Sequence, residues 1–235
     1  MLALPRRLQP ELMDNPALDA GEHRRALTGL ARINMVSRAG AGLWGAVREL
    51  LPHGRPVTLL DVAVGSGDVA VDVARRARGA GVSLGLEVCD ISGEALSATQ
   101  ERSVAAGVAV GAHRRDVVKD GLPQGDRTVD VVMCSLFLHH LREPDVVRLL
   151  AEMARVSRRG VVVSDLRRCR AGVAAAVVAG RVLTRSRIVR VDAVRSVEGA
   201  FTIGELRAMA AEAGMVDADV RASWPLRMML TWRRP

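Results

Sequence analysis

The sequence predicts an α/β protein with a doubly wound, mostly parallel sheet that ends in an antiparallel hairpin. From residue 57 to 165, short apolar runs alternate with segments of helical periodicity, as in parallel strands joined by crossover helices. After the last helical segment, two strand-like runs lie close enough together to form a hairpin. The length of 235 residues suits one such domain with a substantial core.

Five apolar runs predict the parallel strands, at residues 57–62, 84–90, 108–113, 129–135 and 160–165. The helix after the first run has an apolar face made of Val69, Ala70, Val73, Ala74 and Ala77. Ser92 can cap the next helix, which carries Glu94 in its first turn. The helix after the fourth run begins near Pro144, because proline in a first helical turn loses no hydrogen bond.

The C-terminal part departs from this alternation. Thr202 and Glu205 have the spacing of a capping box, and Gly214 is a stop signal for the helix that they begin. Runs 217–223 and 227–232 follow and predict the hairpin, which brings the sheet to seven strands.

The N-terminal part is predicted to be helical over residues 10–51, with a second capping-box spacing at Asp19 and Glu22. No repeat occurs, and no linker is rich enough in proline or glycine to mark a second globular unit. We therefore divide the chain into an N-terminal helical cap and a main domain with a lid-like insertion, at residues 1–52, 53–235 and 166–200.

The net charge of +8 raises the question of a nucleic-acid or acidic partner. Lys119 is the only lysine, and the arginines are spread over most of the chain, as in a solvated surface. Aromatic residues make up only 2% of the chain, which disfavours base stacking. We expect no nucleic-acid partner, and an RNA-binding or RNA-modifying protein is the last-ranked alternative.

The cysteines indicate a reducing compartment. Cys89, Cys134 and Cys169 are widely spaced, and neither a CxxC pair nor a zinc-like His/Cys spacing occurs, so we expect no metal site. The N-terminus lacks the apolar core of a signal peptide, and the apolar patch at 171–180 is too short to span a bilayer. We expect a soluble cytoplasmic protein without a transmembrane segment.

The stretch LLDVAVGSGDVAVDVA, residues 59–74, combines a strand, a glycine turn at Gly65 and Gly67, and a helix start. Such a turn lets a ligand approach the backbone. GSGDVA also matches the dinucleotide fingerprint, with acids at Glu87 and Asp90, so a nicotinamide-dependent oxidoreductase is an alternative. Asp61 favours a different ligand, because a carboxylate repels a pyrophosphate and attracts the ammonium and sulfonium of S-adenosylmethionine.

LLDVAVGSGD resembles the first motif of the class I S-adenosylmethionine-dependent methyltransferases. LEVCDIS and RRDVVKDGLP resemble the next two motifs, and DVVMCSLFLHHLREPDVVRLLAEMARVSRRGVVVSDL is similar to the quinone-biosynthesis type. The resemblance covers residues 57–166, and it implies the family's seven-stranded Rossmann-like fold, S-adenosylmethionine as cofactor, and a methyltransferase domain over 53–235. DLRR and TRSRIVR are similar to small bacterial methyltransferases found beside type III polyketide synthases, which suggests secondary metabolism.

The resemblance also implies roles for individual residues. Gly65 and Gly67 approach the cofactor, and Asp61 faces its methionine end. Asp90 accepts hydrogen bonds from both ribose hydroxyls, with Glu87 as the alternative ligand. The other cofactor-binding positions are Ile91, Asp116 at the adenine amino group, Val117 beside the ring, and Ser135 and Leu136 after strand four.

Two open points accompany these roles. Asp61 has the alternative of capping neighbouring amides. Ala63, also counted as cofactor-binding, stands where the family usually has glycine; its methyl costs little if φ is negative, and we expect a weaker or shifted contact. A homologue that has lost its cofactor is a further alternative.

His139 and His140 are the candidate catalytic residues. They follow strand four at the carboxyl edge of the sheet, where open sheets bind ligands. A histidine of near-neutral pKa can remove a proton from an oxygen or nitrogen acceptor. The alternative is that one or both histidines hold the loop.

Segment 166–200 is longer than a plain connector and combines an Ala/Val-rich helix with many arginines, which include Arg167, Arg168, Arg170, Arg181, Arg185, Arg187, Arg190 and Arg195. We interpret it as a lid for an acidic or amphipathic small molecule, with a solvated surface helix or a membrane-interfacial helix as alternatives.

The sequence thus predicts a methyltransferase that acts on a small-molecule acceptor at a phenolic or polyketide-type hydroxyl. The alternative within the family is C-methylation of a quinone-like ring. A homodimer is compatible with the sequence.

Overall fold

A computed structural model describes residues 4–14, 17–52, 54–184 and 186–235 of the chain. It contains one seven-stranded sheet in the order β3-β2-β1-β4-β5-β7-β6. The first five strands are parallel, and β7 pairs antiparallel with both β5 and β6. The strands are β1 (Val57–Val62), β2 (Leu84–Asp90), β3 (Val110–Arg114), β4 (Val129–Ser135), β5 (Ser157–Leu166), β6 (Asp219–Ser223) and β7 (Arg227–Arg233). The predicted fold class is confirmed.

The largest error in the predicted strand bounds is at β5, which begins at Ser157 and not at Gly160. Ser157 pairs with Val129, and Gly160 pairs with Val131, so β5 has a bulge at Arg158 and Arg159. Two adjacent arginines interrupt the apolar run there, and the sequence pattern therefore hides the start of the strand.

The helices are α1 (Ala20–Val36), α2 (Ala39–Leu50), α3 (Asp68–Gly79), α4 (Gly93–Ala105), α5 (Val117–Asp120), α6 (Glu143–Val156), α7 (Arg170–Leu183), α8 (Arg187–Gly199) and α9 (Ile203–Glu212). Ser92 caps α4, and Thr202 and Glu205 form a complete capping box at α9, as predicted. The N-terminal helical region is divided, because Arg38 adopts a left-handed φ of 54° between α1 and α2. The insertion 166–200 forms two helices, α7 and α8.

Helices cover both faces of the sheet. On one face, α2, α3 and α4 pack against β1 and β2 through an apolar cluster that contains Leu43, Leu59 and Val73. On the other face, α6 and α9 pack against β4 and β5. The buried positions of α6 are the predicted ones, Val146, Leu149, Leu150, Met153 and Val156. This packing fixes the carboxyl ends of β1, β2 and β4, where the predicted site residues lie.

Within the described ranges, no helix combines the length and the apolar character that are needed to span a bilayer.

Candidate cofactor and active site

The glycine turn between β1 and α3 has two glycines with different surroundings. Gly65 has a φ of 56°, and a Cβ added there would meet nothing within 4 Å, so a ligand can approach its backbone. Gly67 has a φ of 70°, and its Cβ would lie 2.6 Å from Cγ2 of Thr99. Close packing against α4 therefore explains Gly67, whose contact with the cofactor stays a prediction.

Ala63 has a left-handed φ of 56°. We expected the Ala63 methyl group to cost little free energy on the condition that φ is negative. The φ is positive, so this condition is not met. A non-glycine residue in this region loses about 1–2 kcal/mol because its Cβ approaches the following carbonyl oxygen. The chain holds Ala63 in a conformation that glycine would adopt more easily.

Helix α4 and strand β2 hold the glycine turn in place. Thr99 donates a hydrogen bond from Oγ1 to the Gly65 carbonyl, and Arg102 donates from Nε to the Ser66 carbonyl, both at 3.0 Å. The Gly65 N–H donates to Oδ2 of Asp90 at 2.9 Å. These three hydrogen bonds fix the backbone of the turn.

Asp61 is 1% exposed and lies next to the last residue of β1. Neither carboxylate oxygen has a hydrogen-bond partner within the described part of the chain, so the alternative that Asp61 caps neighbouring amides is not seen there. Burial, together with the nearby Asp68 and Asp90 carboxylates, raises the pKa of Asp61 well above its usual value. A bound cation would satisfy this carboxylate, so the residues present fit the ammonium and sulfonium of S-adenosylmethionine.

Asp90 ends β2 and binds two backbone amides. Oδ2 accepts from the Gly65 N–H, and Oδ1 accepts from the Ser92 N–H, each at 2.9 Å. Each oxygen retains a lone pair for a ribose hydroxyl. Glu87 instead bonds to His113 Nε2 at 3.2 Å and Gln124 Nε2 at 2.8 Å, which favours Asp90 as the ribose ligand.

The remaining predicted cofactor positions follow the ends of β2, β3 and β4. Asp116 caps α5, where its Oδ1 accepts from the Val118 and Lys119 amides, both at 3.2 Å. Leu136 has a φ of 56°, and its N–H donates to the Ser164 carbonyl. Val117 is buried, Ser135 is partly buried, and Ile91 is 60% exposed. The three strand ends place all of them along one edge of the sheet.

The two histidines have different surroundings. His139 is 5% exposed, and its Nδ1 lies 2.6 Å from Oδ1 of Asp165. Its backbone N–H donates to the other oxygen of Asp165 at 3.1 Å. Oε1 of the buried Glu11 lies 3.7 Å from Nε2 of His139 and 3.9 Å from Nε2 of the partly exposed His140. The two imidazole rings are in contact, with 4.3 Å between their centroids and an angle of 33° between their planes.

Charge decides which histidine can accept a proton. Burial by itself lowers the pKa of His139, but Asp165 and Glu11 reverse that effect and raise the pKa to about 10. His139 is therefore an imidazolium at neutral pH and has no lone pair for a substrate proton. This leaves His140 as the candidate base of the predicted pair.

Glu11, His139 and His140 also place three possible metal ligands within 4.8 Å of one another. Ion pairs explain this cluster, because the positively charged His139 lies beside the carboxylates of Glu11 and Asp165. The expectation of no metal site stays a prediction.

Sequence reasoning missed three buried residues at this edge. Asp165 had a signal, because it lies one residue before the end of β5, as Asp61 does in β1, and Asp90 is the last residue of β2. Glu11 had none, because it lies in the segment before the first long helix. Arg227, the first residue of β7, is 4% exposed, and its Nη2 donates to Asn34 Oδ1 and Ser37 Oγ at 3.0 Å.

Comparisons with known proteins concern the part of the chain that contains these residues. Residues 59–160 match the family model of a methyltransferase domain. The part of the chain that contains the glycine turn is thus similar to a methyltransferase domain. The match begins in β1 and ends in β5, so it includes the glycine turn, Asp90 and both histidines. No curated protein sequence matches the chain significantly.

Solved structures share the fold of this methyltransferase domain. A protein from Nostoc punctiforme designated as an O-methyltransferase has a TM-score of 0.67 at 16% identity; the match covers 98% of this chain and 64% of that one. A SAM-dependent methyltransferase from Aquifex aeolicus has a TM-score of 0.60 at 17% identity, with coverages of 88% and 97%. Magnesium protoporphyrin IX methyltransferase from Synechocystis, with bound S-adenosylhomocysteine, has a TM-score of 0.56 at 14% identity, with coverages of 95% and 91%.

Several arginines of the insertion 166–200 donate hydrogen bonds within the insertion, to the N-terminal segment or to Glu205 of α9. Arg168 is 6% exposed, and it contacts the Glu205 carboxylate and the carbonyls of Leu4 and Ala200. Arg190 and Arg195 also donate to backbone carbonyls. The exposed arginines, among the described residues, are Arg170, Arg181, Arg187 and Arg190; Arg185 lies outside the described residues.

The N-terminal segment, residues 4–14, lies across the insertion of the methyltransferase domain. Arg6 donates to the carbonyls of Gly199 and Leu141, at 2.7 and 2.6 Å. The amides of Leu12 and Met13 donate to the carboxylate of Asp192 in α8, at 2.8 and 3.0 Å. These contacts hold Glu11 beside the two histidines.

Proposed function

We propose that this methyltransferase methylates a hydroxyl oxygen of a phenolic or polyketide-type small molecule. The observation that supports oxygen as the acceptor atom is His140, partly exposed at the carboxyl edge with the Glu11 carboxylate 3.9 Å from its Nε2. A phenolic hydroxyl must lose its proton to become a good nucleophile, and a neutral histidine can take that proton. The designation of the Nostoc relative as an O-methyltransferase is in line with this proposal.

The cofactor, when bound, supplies a methyl group that is already activated on a sulfonium, so alignment and exclusion of water are the main tasks of the protein. We assign its amino-acid end to Asp61, the turn backbone to Gly65, and its ribose to Asp90. The other assigned contacts are Ala63, Gly67, Ile91, Asp116, Val117, Ser135 and Leu136.

The two histidines divide the acid–base work in this proposal. His140 takes the proton from the acceptor hydroxyl, and the Glu11 carboxylate stabilises the imidazolium that results. His139 keeps its own proton, because Asp165 and Glu11 hold it as a cation. Its role is to position Glu11 and the loop that carries His140.

We assign acceptor selection to the insertion 166–200, acting as a lid together with the helical cap 1–52. Val178 and Val182 of α7 are 61% and 73% exposed, which suits an amphipathic acceptor. We further propose a cytoplasmic enzyme of secondary metabolism, with a homodimer as its assembly.

The test is incubation of the protein with S-adenosylmethionine and a panel of simple phenols, resorcinols and hydroxyquinones. Products are identified by mass spectrometry, and NMR distinguishes O-methyl from ring C-methyl groups. We expect O-methylated products from the wild type and a loss of at least tenfold in kcat for His140→Gln, with unchanged cofactor affinity. His113→Gln, on the outer strand β3, is the matched control.

Ring C-methylation as the main product would replace the proposal by its alternative. A His140→Gln variant that keeps full kcat would remove the assigned base. Loss of cofactor binding in that variant would make His140 a cofactor ligand.

A further inference from the structure

A cavity of about 220 Å³ lies at the end of the sheet opposite the candidate cofactor residues, and the side chains that line it are Arg158, Arg159, Arg233 and Arg234. We call it the arginine cavity. The first two arginines lie at the start of β5, whose other end carries Asp165. Because β5 has ten residues and is about 30 Å long, the arginine cavity is separate from the candidate active site.

A β-bulge brings two neighbouring arginines to this cavity. Successive side chains of a regular strand point to opposite faces of the sheet, but the register between β5 and β4 shifts at Arg158 and Arg159. Strand β7 ends at the same place, since Arg233 pairs with Gly160, and the Arg234 N–H donates to the Arg159 carbonyl at 2.8 Å. Two arginine pairs from distant parts of the sequence therefore line one cavity.

The arginine cavity carries more positive charge than its neighbours neutralise. Within the described ranges, the carboxylate that pairs with the cavity is that of Asp130, whose Oδ1 lies 3.4 Å from Nη1 of Arg158 and 3.8 Å from Nε of Arg159. The same oxygen lies 2.5 Å from Nη2 of Arg55, which is outside the lining of the cavity. Three arginines thus share one negative charge.

Arg233 and Arg234 have neutral acceptors. Their guanidinium groups donate to the backbone carbonyls of Glu49, Ala154 and Ser157, and neither forms an ion pair with a carboxylate of the described residues. Burial lowers the pKa of Arg234, and the positive charge of a neighbouring arginine lowers it further. The carbonyls fix the direction of both guanidinium groups and leave their charges uncompensated.

The contact between Arg159 and Asp130 is also incomplete. Nε of Arg159 is buried and has no hydrogen-bond partner in the described part of the chain. The carboxylate oxygen at 3.8 Å is beyond hydrogen-bond distance. Asp130 therefore neutralises Arg159 only in part, and the four like charges of the cavity repel one another unless an anion lies between them.

We propose that the arginine cavity binds the diphosphate group of a small molecule. A guanidinium presents planar, paired N–H groups that match two oxygens of a phosphate, and several arginines can share the oxygens of two linked phosphates. A phosphate group carries about 1.5 to 2 negative charges at pH 7, more than one carboxylate supplies. The cavity has the volume of about seven water molecules, which is enough for two linked phosphates.

A nucleic acid is the other polyanion that arginines bind. The lining of the cavity has no aromatic ring on which a base could stack. Trp232, next to Arg233 in the chain, is 6% exposed, and Cζ of Arg234 lies 5.1 Å from the centroid of its ring. These observations favour a compact anion.

The test is isothermal titration calorimetry with inorganic pyrophosphate in 0.15 M NaCl. We expect saturable binding by the wild type, with a dissociation constant below about 1 mM. Arg159→Met and Arg233→Met should each weaken binding at least about tenfold, as expected for loss of a charge-assisted hydrogen bond. The matched control is Arg75→Met, which removes the same charge from an exposed position of α3 and should keep the wild-type affinity.

ADP distinguishes a free diphosphate from one that a nucleotide carries. These titrations contain saturating S-adenosylhomocysteine, so that the adenosine of ADP does not enter the candidate cofactor site. Tighter binding of ADP than of pyrophosphate would support a nucleotide, and weaker binding would support the free anion. The pyrophosphate titrations do not depend on the cofactor site and test the proposal even if the proposed function fails.

Absence of saturable pyrophosphate binding by the wild type would overturn the proposal, and this result does not depend on whether the variants fold. Equal weakening in Arg75→Met would overturn it as well, because binding would then follow net charge alone. A single-stranded RNA that binds at least about a hundredfold more tightly than pyrophosphate, and loses this affinity in Arg159→Met and Arg233→Met, would replace the small molecule by a nucleic acid.

Discussion

Asp61 and Asp130 are equally buried carboxylates at opposite ends of the sheet, each 1% exposed. At the amino end, Asp130 accepts hydrogen bonds from Arg55, from Arg158 and from the Thr58 N–H. At the carboxyl end, Asp61 accepts none from the described residues. Burial favours the neutral form of both groups, but the partners of Asp130 lower its pKa, whereas the pKa of Asp61 is raised.

The difference in hydrogen-bond partners distinguishes a carboxylate that stabilises the fold from one that fits a ligand. The fold supplies every partner that Asp130 needs, so this residue stabilises the protein. The described residues supply no hydrogen-bond partner to Asp61, so burial of this carboxylate costs stability unless a ligand pairs with it. Functional sites commonly retain such unfavourable groups.

The largest change in the free energy of unfolding is expected for a substitution of Asp130. Asp130→Ala leaves Arg55 and Arg158 without their shared carboxylate. Removal of one partner of a buried ion pair costs about 3–5 kcal/mol, and we expect about 2–3 kcal/mol here, because both arginines are about half exposed and regain hydration. Urea denaturation measures the loss, and the affinity for S-adenosylhomocysteine should not change. A loss within experimental error would make the two carboxylates equivalent.

Asp61→Asn should change the free energy of unfolding in the opposite direction. The substitution removes an uncompensated buried charge and keeps the shape, so we expect the ligand-free protein to gain about 1–2 kcal/mol of stability at pH 7. Because the pKa is raised on folding, the cost of the wild-type carboxylate disappears at low pH, and the gain should vanish below the usual Asp pKa. Affinity for S-adenosylmethionine should fall at least tenfold, about 1.4 kcal/mol. A destabilised variant would indicate an internal partner for Asp61.

Asp90→Ala tests the intermediate case, a carboxylate with internal partners and spare lone pairs. We expect affinity for S-adenosylhomocysteine to fall more than tenfold, about 1.4 kcal/mol or more, because both the ribose ligand and the Gly65 support are lost. Glu87→Ala is the matched control and should leave affinity unchanged. The reverse result would assign the ribose to Glu87. Calorimetric titration distinguishes the two.

His139 extends the comparison to a buried cation. Its pKa is raised to about 10 on folding, so its stabilising contribution is complete below the unfolded pKa near 6.5 and is lost as the pH rises to 10. Wild-type stability should fall by roughly 1 kcal/mol or more over this interval, and His139→Gln should lack this decline. Urea denaturation at pH 6, 8 and 10 measures it. An identical decline in the variant would mean that His139 is neutral in the folded state.

The smallest effect is expected at Ala63. Ala63→Gly relieves a left-handed alanine, but glycine also gains entropy in the unfolded chain, so the net gain should be about 0.5 kcal/mol. Cofactor affinity should rise or stay constant. A lower stability than that of the wild type would show that the turn tolerates the methyl group without strain.

Much of the fold was predictable, because apolar periodicity and capping residues are local signals. The bounds of β1, β2 and β4 and the buried face of α6 were predicted from such signals. The start of β5 was not, because Arg158 and Arg159 hide it.

Site residues that belong to one continuous sequence motif could be predicted. Residues that distant segments bring to the site could not. Asp61, Gly65 and Asp90 are neighbours of the glycine turn, and the sequence pointed to them. Arg227 and Glu11 reach the site from the two ends of the chain, and their burial depends on contacts that no local pattern encodes. The φ of Ala63 is also set by the fold, since alanine by itself favours negative values.

The hydrogen bonds that hold residues 4–14 have a consequence for biosynthesis. Leu12 binds Asp192, 180 positions later, and Ser196 donates to Glu11, 185 positions later. Glu11 and Leu12 therefore lack these partners until the segment that contains Asp192 and Ser196 has been synthesised. Contacts of such long sequence separation form late in folding. The hydrogen-bonded surroundings of Glu11 should therefore form only after residues 192–196 have been synthesised.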